Sequence, residues 1–367
     1  MAELAPINFT RGVPATESFP TDELIAAASS VLRDHAATVL SYGPSAGYGP
    51  LREWIAAWQG VEPTQVLLAN GSLQIVEFLC FAMLAPGDVV LTESPTYDRT
   101  LTMLRRHGAR VVGVRVEPDG PDPAALEAAA RQHRPKLFYT IPDFQNPAGA
   151  TCSRAKRDAI VEIAERHGFV VLEDAPYRQL RYRGHEEPTL RALAPSRVLH
   201  MGSFTKLIAP GVRAGYLLGE PSLITRIAKV AEDTYISPSY VAHAITWEWC
   251  RRGLLPAQIE RLKALYAPRL AACRTAIEHY MPDAEATRPE GGFFVSLLLP
   301  PGVTTAEVSA AAARRNLNLA DGRAFFPEAD RDGDGQRFLR LPFCALTPEQ
   351  IDEGVRRLAD AVREVRR

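Results

Sequence analysis

The sequence is poor in the features that mark several large classes of protein. Its 367 residues include five cysteines, and no two of them form a C-x-x-C pair. We therefore expect core or incidental thiols in a reducing compartment rather than a disulfide framework. No charged segment followed by an apolar one opens the chain, and no apolar run is long enough to span a bilayer. These absences favour a cytoplasmic protein.

The chain also lacks an excess of charge of either sign. Lysine and arginine number 42 and aspartate and glutamate 43, which gives a formal net charge of -1. Proteins that bind nucleic acid or anionic membranes carry basic patches, so we expect neither partner. The eight histidines are scattered without a metal-ligand spacing, and we expect no metal site. Small-molecule chemistry is the better expectation.

One acidic segment, at 330–335, is similar to the opening of a calcium-binding loop. A loop of that type requires a bidentate glutamate at its twelfth position, where this sequence has Leu341. We interpret the segment as an acidic surface turn.

Short apolar runs alternate with helical patterns along most of the chain. Such strands separated by helices predict an α/β fold, in which a mostly parallel sheet of seven strands is covered by helices. A helical pattern over 256–280 then leads to a smaller α/β unit. We expect an N-terminal arm that forms part of the small domain (1–42), a large domain (43–278) and a C-terminal small domain (279–367). The seven runs are 66–69, 89–92, 111–116, 137–141, 169–172, 198–201 and 214–218.

Polar clusters follow four of the predicted strands at their carboxyl ends, beginning at Asn70, Asn146, Glu173 and Ser203. In an open α/β sheet, clusters at these positions line a ligand crevice. The turn Gly71-Ser72 also begins a predicted helix, whose free backbone N–H groups can bind an anion.

The most informative cluster is the tetrapeptide SFTK at 203–206. Ser203 lies just before Lys206, Arg213 lies seven residues beyond it, and Thr205 either adds a hydroxyl or fills the turn. Hydroxyls and a guanidinium can hold a phosphate, while an apolar neighbourhood lowers the pKa of a lysine and keeps it nucleophilic. The pattern indicates an amine that forms a Schiff base beside a phosphate. Taken alone, a surface lysine after a strand explains it equally well.

Together these motifs resemble the fold-type-I, pyridoxal-phosphate-dependent aminotransferases of class I/II, in particular the branch of 2-aminoadipate and aromatic aminotransferases. The resemblance extends from GVP at 12–14 to FLRL at 338–341. It implies that the large domain binds pyridoxal phosphate through a Schiff base on Lys206. It also implies transfer of an amino group from an L-amino acid to a 2-oxo acid.

The resemblance implies roles for further residues. Asp174 pairs with the pyridinium nitrogen, a charge pairing that favours the protonated ring. Tyr177 and Asn146 contact the phenolic oxygen of the cofactor, and Tyr97 stacks on its ring. Tyr42 reaches the phosphate in a neighbouring subunit, which implies a homodimer with shared active sites. The expected sets are, for catalysis, Lys206, Asp174 and Tyr177; for the cofactor, these three with Gly71, Ser72, Leu73, Tyr97, Asn146, Ser203, Thr205, Arg213 and Tyr42; for the substrate, Arg340, Asn146, Arg11 and Gly12.

Arg340 matches the family arginine that binds the substrate α-carboxylate through a bidentate fork. Arg11 stands where the family often has glycine, and Ala148 where it often has threonine. Near the substrate entrance, Arg11 either adds a cation for an acidic side chain or is a solvated residue of the arm. A tryptophan is common near Ser296, and its absence is expected to open the pocket.

Two other functions stay open on the sequence alone. Look-alikes in natural-product pathways use the same catalytic set for cyclisation, elimination or oxidation of arginine-like substrates. Bacterial regulators carry the same domain as an effector sensor behind a DNA-binding winged helix. Because the family-like sequence begins at Gly12, we expect no such module. The substrate itself is not predicted, since variable loops build its pocket.

Overall fold

One large sheet and two small ones organise the chain, which the computed structural model describes over residues 5–366. The strands are β1 (Ile7–Phe9), β2 (Val66–Ala69), β3 (Val89–Ser94), β4 (Arg110–Glu117), β5 (Gly120–Pro121), β6 (Leu137–Thr140), β7 (Val170–Asp174), β8 (Val198–Ser203), β9 (Gly215–Leu218), β10 (Glu285–Ala286), β11 (Phe294–Leu298), β12 (Leu317–Leu319) and β13 (Phe338–Pro342).

Helices cover these sheets and connect their strands. They are α1 (Thr21–Asp34), α2 (Ala36–Val39), α3 (Gly49–Gln59), α4 (Ser72–Met83), α5 (Asp98–Arg106), α6 (Pro123–His133), α7 (Arg154–His167), α8 (Leu190–Leu193), α9 (Pro221–Tyr235), α10 (Tyr240–Arg251), α11 (Leu255–Tyr280), α12 (Thr305–Ala313) and α13 (Pro348–Val365). None of the helices described for residues 5–366 has the length and apolar character that a bilayer span requires.

The large sheet has the strand order β2-β9-β8-β7-β6-β3-β4-β5. Its central strands β8, β7, β6, β3 and β4 run parallel, and β9 is antiparallel to both of its neighbours. The α/β class and the mostly parallel sheet are confirmed, but the sheet has eight strands rather than seven. The additional strand is β5, whose two residues are too short to show any hydrophobic pattern.

The central strands are buried because helices lie on both faces of the sheet. Strands β2, β3, β6 and β8 consist entirely of buried residues, which explains their continuous apolar runs. Because β3, β6, β7 and β8 run parallel, their carboxyl ends meet at one edge of the sheet. Strands β2 and β8 are both antiparallel to β9, so the carboxyl end of β2 lies at the same edge. Side chains that follow these strands are brought together there.

Residues from the two ends of the chain form the small sheets. Strand β1 pairs in parallel with β12, and β11 lies between β10 and β13 in an antiparallel sheet. Helix α13 packs against α11 and α12. The pairing of β1 with β12 joins the N-terminal segment to the C-terminal part of the chain, in which β13 carries Arg340.

A buried ion cluster ties the loop after β6 to the loop after β7. Asp143, which is fully buried, accepts hydrogen bonds from Arg157 Nη2 at 2.8 Å and Arg178 Nη1 at 3.0 Å. Its Oδ1 also lies 3.6 Å from Arg181 Nη2. The guanidinium of Arg157 is likewise fully buried, and it donates to three backbone carbonyls besides Asp143.

Replacement of Asp143 by alanine is expected to lower the free energy of unfolding by about 3 kcal/mol, because the buried charge of Arg157 loses its hydrogen-bonded carboxylate and keeps, among the described carboxylates, only Glu173, at 3.9 Å. Asp158→Ala, which removes an exposed i,i+4 pair with Arg154, is the matched control, with an expected loss below about 0.5 kcal/mol. Urea unfolding followed by circular dichroism measures both. Equal losses in the two variants would contradict this account.

Candidate active site

Asp174, the last residue of β7, has one carboxylate oxygen paired and the other free. Oδ2 accepts a 2.7 Å hydrogen bond from the Tyr139 hydroxyl. Oδ1 is buried and has no partner among the described residues. Burial raises the pKa of Asp174 to about 6, although the Tyr139 hydroxyl and the charges of His200 and Lys206 oppose the shift. Because a buried acceptor without a donor is costly, Oδ1 suits an N–H donor of a ligand.

Lys206 lies on the loop that follows β8, with its amine against aromatic rings. Nζ donates a 3.0 Å hydrogen bond to the carbonyl of Gly12. It lies 5.8 Å from the ring centre of Tyr177 and 5.7 Å from that of Phe293. Burial lowers the pKa of Lys206 to about 8, and the charge of Arg340 acts in the same direction. Close to neutral pH a fraction of this amine is uncharged and nucleophilic.

The N-terminal segment 10–13 supplies carbonyl groups to both cations of this region. Besides the contact between Gly12 and Lys206, the carbonyl of Thr10 accepts a 2.6 Å hydrogen bond from Arg340 Nη2. A Cβ at position 12 would lie 2.4 Å from Cζ of Phe294. Glycine is therefore required for the segment to approach this closely.

Asn146 and Arg340 form a buried pair across the site. Arg340 Nη1 donates to Asn146 Oδ1 at 2.9 Å. Because a guanidinium only donates, the amide oxygen faces Arg340, and the amide nitrogen keeps two hydrogens for an acceptor elsewhere. Arg340 Nε is buried without a partner in the described part of the chain. Burial lowers the pKa of Arg340, but a guanidinium stays charged and can receive a carboxylate.

An anion cradle is formed where β2 leads into α4. Gly71 precedes the helix at φ 93°, and no side chain caps the helix start, so the N–H groups of Ser72 and Leu73 in the first turn are suited to bind an anion. A Cβ on Gly71 would lie 2.3 Å from Arg213 Nη2. Arg213 donates to the carbonyl of Asn70 at 2.7 Å, which holds its charge beside the helix start.

Ser203 and Thr205 lie on the turn between β8 and Lys206. Ser203 Oγ accepts a 3.2 Å hydrogen bond from Thr205 N and donates a 3.4 Å hydrogen bond to the carbonyl of Ala214. Ala214 directly follows Arg213, so this turn and the anion cradle are neighbours.

Two tyrosines provide phenol groups near the carboxylate and the lysine. Tyr97 precedes α5, and burial raises its pKa to about 12, with the charges of Asp98 and Asp174 acting in the same direction. Tyr177 is buried against Phe293 and Phe294, at ring-centre distances of 5.5 and 5.7 Å. Burial raises the pKa of Tyr177 well above its usual range. Both phenols are protonated and can donate hydrogen bonds at neutral pH.

Tyr42 and Arg11 are not brought into the site by contacts within one chain. The side chain of Tyr42 is 80% exposed. Arg11 is exposed and forms no ion pair with any residue in the range 5–366 that the structure describes. Its neighbours Thr10 and Gly12 contact the two site cations, so Arg11 lies at the rim.

Ser296 contributes to a cavity beside the site rather than to the pocket at Lys206. Its Oγ donates to the carbonyl of Ala148 at 3.1 Å. Both residues line a cavity of about 860 Å³ whose lining includes neither Lys206 nor Arg340. The small side chain therefore leaves space on the far side of the loop that carries Asn146.

Glu93 and Gln145 were missed in the sequence analysis, although they brace this loop. Glu93 accepts hydrogen bonds from Thr140 Oγ1 at 2.6 Å and from Gln145 Nε2 at 2.8 Å. Gln145 Oε1 in turn accepts from the N–H of Ala148 at 2.7 Å. Burial raises the pKa of Glu93 to about 7. The available signal was a carboxylate at the end of an apolar strand, just before a polar cluster.

The assembled groups fit the polar ends of pyridoxal phosphate. Asp174 Oδ1 has a free lone pair for a protonated ring nitrogen, and Asn146 has amide hydrogens for a phenolic oxygen. The cradle of α4 and Arg213 suits a phosphate, and Lys206 offers an amine for an aldehyde. Each match uses a buried or preorganised group, and Asp174 Oδ1 has no partner among the described residues.

Sequence comparison identifies relatives along nearly the whole chain. The family described as aminotransferase class I and II matches residues 5–358. The aromatic-amino-acid aminotransferase 1 of Thermococcus litoralis is 31% identical in an alignment that covers 98% of this chain and 88% of that protein.

Solved structures show the same similarity. The α-aminoadipate aminotransferase of Thermus thermophilus, solved with N-(5'-phosphopyridoxyl)-L-leucine, has a TM-score of 0.93 and 32% identity, covering 98% of this chain and 92% of that one. The kynurenine aminotransferase of Pyrococcus horikoshii has a TM-score of 0.94 and 30% identity, covering 98% and 91%. This chain belongs to the class I and II aminotransferases, enzymes of fold type I that use pyridoxal phosphate to move an amino group between an amino acid and a 2-oxo acid.

Proposed function

We propose that Lys206 is the attachment point of pyridoxal phosphate and the proton carrier of a transamination, with Asp174 as the partner of the ring nitrogen. One observation carries this assignment. A buried carboxylate with an unpaired oxygen and a lysine with a lowered pKa lie at the same sheet edge, beside an anion cradle. Perturbed groups that converge on one crevice are typical of active sites.

Pyridoxal phosphate, when bound, supplies a sink for the electrons released at the substrate Cα. The chain performs the other tasks. Asp174, as a carboxylate, keeps the proton on the ring nitrogen. Lys206 Nζ, when neutral, would accept the proton from the substrate Cα and deliver it to C4′ of the cofactor. Burial of Nζ disfavours its charged form, which keeps it a competent base.

The remaining cofactor contacts follow from the free donors of the site. Asn146 and Tyr177 donate to the phenolic oxygen, and Tyr97 covers the ring face. The first turn of α4, with Ser72, Leu73 and the hydroxyls of the SFTK turn, surrounds the phosphate. The guanidinium of Arg213 balances its charge.

Replacement of Lys206 by alanine tests the central assignment. The variant is expected to fold and to bind the cofactor without a covalent link, so borohydride reduction should add no cofactor mass to the protein. Turnover should fall by at least roughly a hundredfold, because general acid–base catalysis is lost. Mass spectrometry and a coupled transamination assay measure the two effects.

Lys229→Ala is the matched control, because Lys229 is an exposed lysine of α9 that pairs with Glu232 and Asp233. It should keep both the reducible link and wild-type turnover. Full activity in Lys206→Ala would refute the assignment.

We propose that Arg340 binds the α-carboxylate of every substrate and that Arg11 attracts an acidic side chain. The unpaired Nε of Arg340 supports the first role. Two features support the second: Arg11 is a rim cation without a carboxylate partner among the described residues, and a relative acts on α-aminoadipate. Acidic donors such as 2-aminoadipate and glutamate are therefore the proposed substrate class.

Arg340→Lys and Arg11→Ala should separate these roles in steady-state assays with acidic, aromatic and aliphatic donors. Arg340→Lys should raise KM for all of them by a similar factor, roughly one to two orders of magnitude, because a lysine replaces a planar fork by a point charge. Arg11→Ala should raise KM severalfold for acidic donors only. Arg33→Ala, an exposed arginine of α1, is the control. An unchanged donor ranking in Arg11→Ala would show that Arg11 is an ordinary surface residue.

We propose that the enzyme is a homodimer in which Tyr42 reaches the phosphate bound by the partner chain. Leu40, Tyr42 and Ile236 are large, exposed and apolar. They belong to neighbouring segments, because the N–H of Gly43 donates to Ser237 Oγ at 3.5 Å. Clustered exposed apolar side chains are typical of protein–protein interfaces, and twofold dimers are the commonest assemblies.

Hybrid dimers test the shared site directly. One subunit carries Tyr42→Ala and the other Lys206→Ala, with different tags so that the hybrid can be isolated after co-expression. If Tyr42 acts across the interface, the hybrid contains one intact site and should show roughly half of the wild-type activity, although both parent dimers are defective. If Tyr42 acts within its own chain, both sites of the hybrid are damaged. An inactive hybrid would therefore overturn the proposal.

We also propose the domain division at 1–42, 43–278 and 279–367 and a place in the reducing cytoplasm. The large sheet lies within 66–218 and the β10-β11-β13 sheet within 285–342, in support of the division. All five cysteines are free and buried, in support of a reducing compartment.

A further inference from the structure

Arg340 contacts two phenyl rings in addition to its polar partners. Its Cζ lies 4.7 Å from the ring centre of Phe294 and 4.4 Å from that of Phe325. Both phenylalanines are buried. A guanidinium taken out of water loses hydration, and attraction to the faces of aromatic rings offsets part of this loss.

The ring of Phe325 is held from two sides. Phe325 ends the 3₁₀ helix Gly322–Phe325, and its carbonyl accepts a 2.8 Å hydrogen bond from Thr96 N, just beyond β3. The ring also packs on Phe338 of β13, with the ring centres 6.2 Å apart. Phe325 thus connects the segment before β13 with the edge of the large sheet. Its own position is fixed independently of Arg340.

The polar contacts of Arg340 do not by themselves fix the plane of its guanidinium. Nη1 and Nη2 donate to Asn146 and Thr10, and Nε has no partner in the described part of the chain. A carboxylate requires two parallel donors in one plane. A ring face against the guanidinium restricts rotation of that plane, because a planar cation stacks on an aromatic ring.

We propose that Phe325 is a positioning residue for substrate binding, whose ring holds the Arg340 fork in the orientation that receives the α-carboxylate. The inference rests on the proposed role of Arg340. Phe326 provides the contrast within the same segment. It is also buried and packs on Phe338, at 5.5 Å, but among the described residues only Phe294 and Phe325 place a ring against Arg340.

Phe325→Leu and Phe326→Leu, compared as holoenzymes, test this role. Phe325→Leu should raise KM for every amino acid and 2-oxo acid by roughly threefold to thirtyfold, the range expected for a lost cation–π contact. Its kcat and the visible band of its cofactor should be unchanged, because the lost interaction concerns binding alone. Phe326→Leu should leave KM within about twofold of the wild type.

Two further measurements separate positioning from a general loss of packing. A primary amine without an α-carboxylate should react with the holoenzyme in single turnover at the same rate in Phe325→Leu and in the wild type. Phe325→Tyr, which keeps the ring, should restore a KM close to that of the wild type. If Phe325→Leu does not fold, Phe325→Met replaces it with the same expectations.

The proposal is overturned if KM is unchanged in Phe325→Leu, if it rises equally in Phe326→Leu, or if the carboxylate-free amine is slowed as much as the amino acids. An unchanged KM in Arg340→Lys would test the proposed function rather than the role of Phe325. It would refute the carboxylate role of Arg340, and hence that part of the proposed function.

Discussion

The hydrogen bond between Tyr139 and Asp174 fixes the point around which the site is arranged. Tyr139 belongs to β6 and Asp174 to the adjacent strand β7, so the rigid sheet sets their distance of 2.7 Å. A buried carboxylate needs a donor, and among the described residues this one receives it on Oδ2 alone. Oδ1 is thereby oriented towards a ligand before any ligand binds. In the proposed function, this oxygen would pair with the ring nitrogen of the cofactor, and the groups suited to its phosphate, phenolic oxygen and aldehyde would be arranged around that pairing.

The same desolvation constraint explains why the N-terminal segment enters the site. Lys206 and Arg340 are cations at least partly withdrawn from water, and no carboxylate in the range 5–366 forms an ion pair with either of them. Instead, the backbone carbonyls of Gly12 and Thr10 accept hydrogen bonds from Lys206 and Arg340. Neutral acceptors partly compensate the lost hydration without holding the charge as tightly as a carboxylate does. The lysine therefore keeps a lowered pKa, and the arginine keeps a charge that suits its proposed role towards a substrate carboxylate.

The parts of the fold and the site that follow from local pattern were predictable from the sequence. Seven apolar runs gave seven strands, and polar residues at their ends gave Asp174, Asn146 and Lys206, which do lie at one edge of the sheet. The short strand β5 and the pairing of β1 with β12 could not be predicted in this way. Strand β5 is too short to show a hydrophobic period, and the β1–β12 pairing joins residues separated by about 310 positions in the chain. The ring contacts of Arg340 depend on tertiary packing in the same way.

Asn146 shows how the turn after β6 joins the proposed cofactor side of the site to the proposed substrate side. Its amide oxygen accepts a hydrogen bond from Arg340, and its amide nitrogen points away from Arg340. One amide therefore has an acceptor for the arginine and two donors for a ligand. An aspartate would keep the acceptor and lose both donors, and a glutamine would displace the amide by one methylene. The turn itself is held by Gln145, which Glu93 binds from the neighbouring strand β3. A buried carboxylate on the neighbouring strand thus helps to determine where the amide lies. The precision of the site therefore depends on this second layer of hydrogen bonds as much as on the residues that contact the ligand.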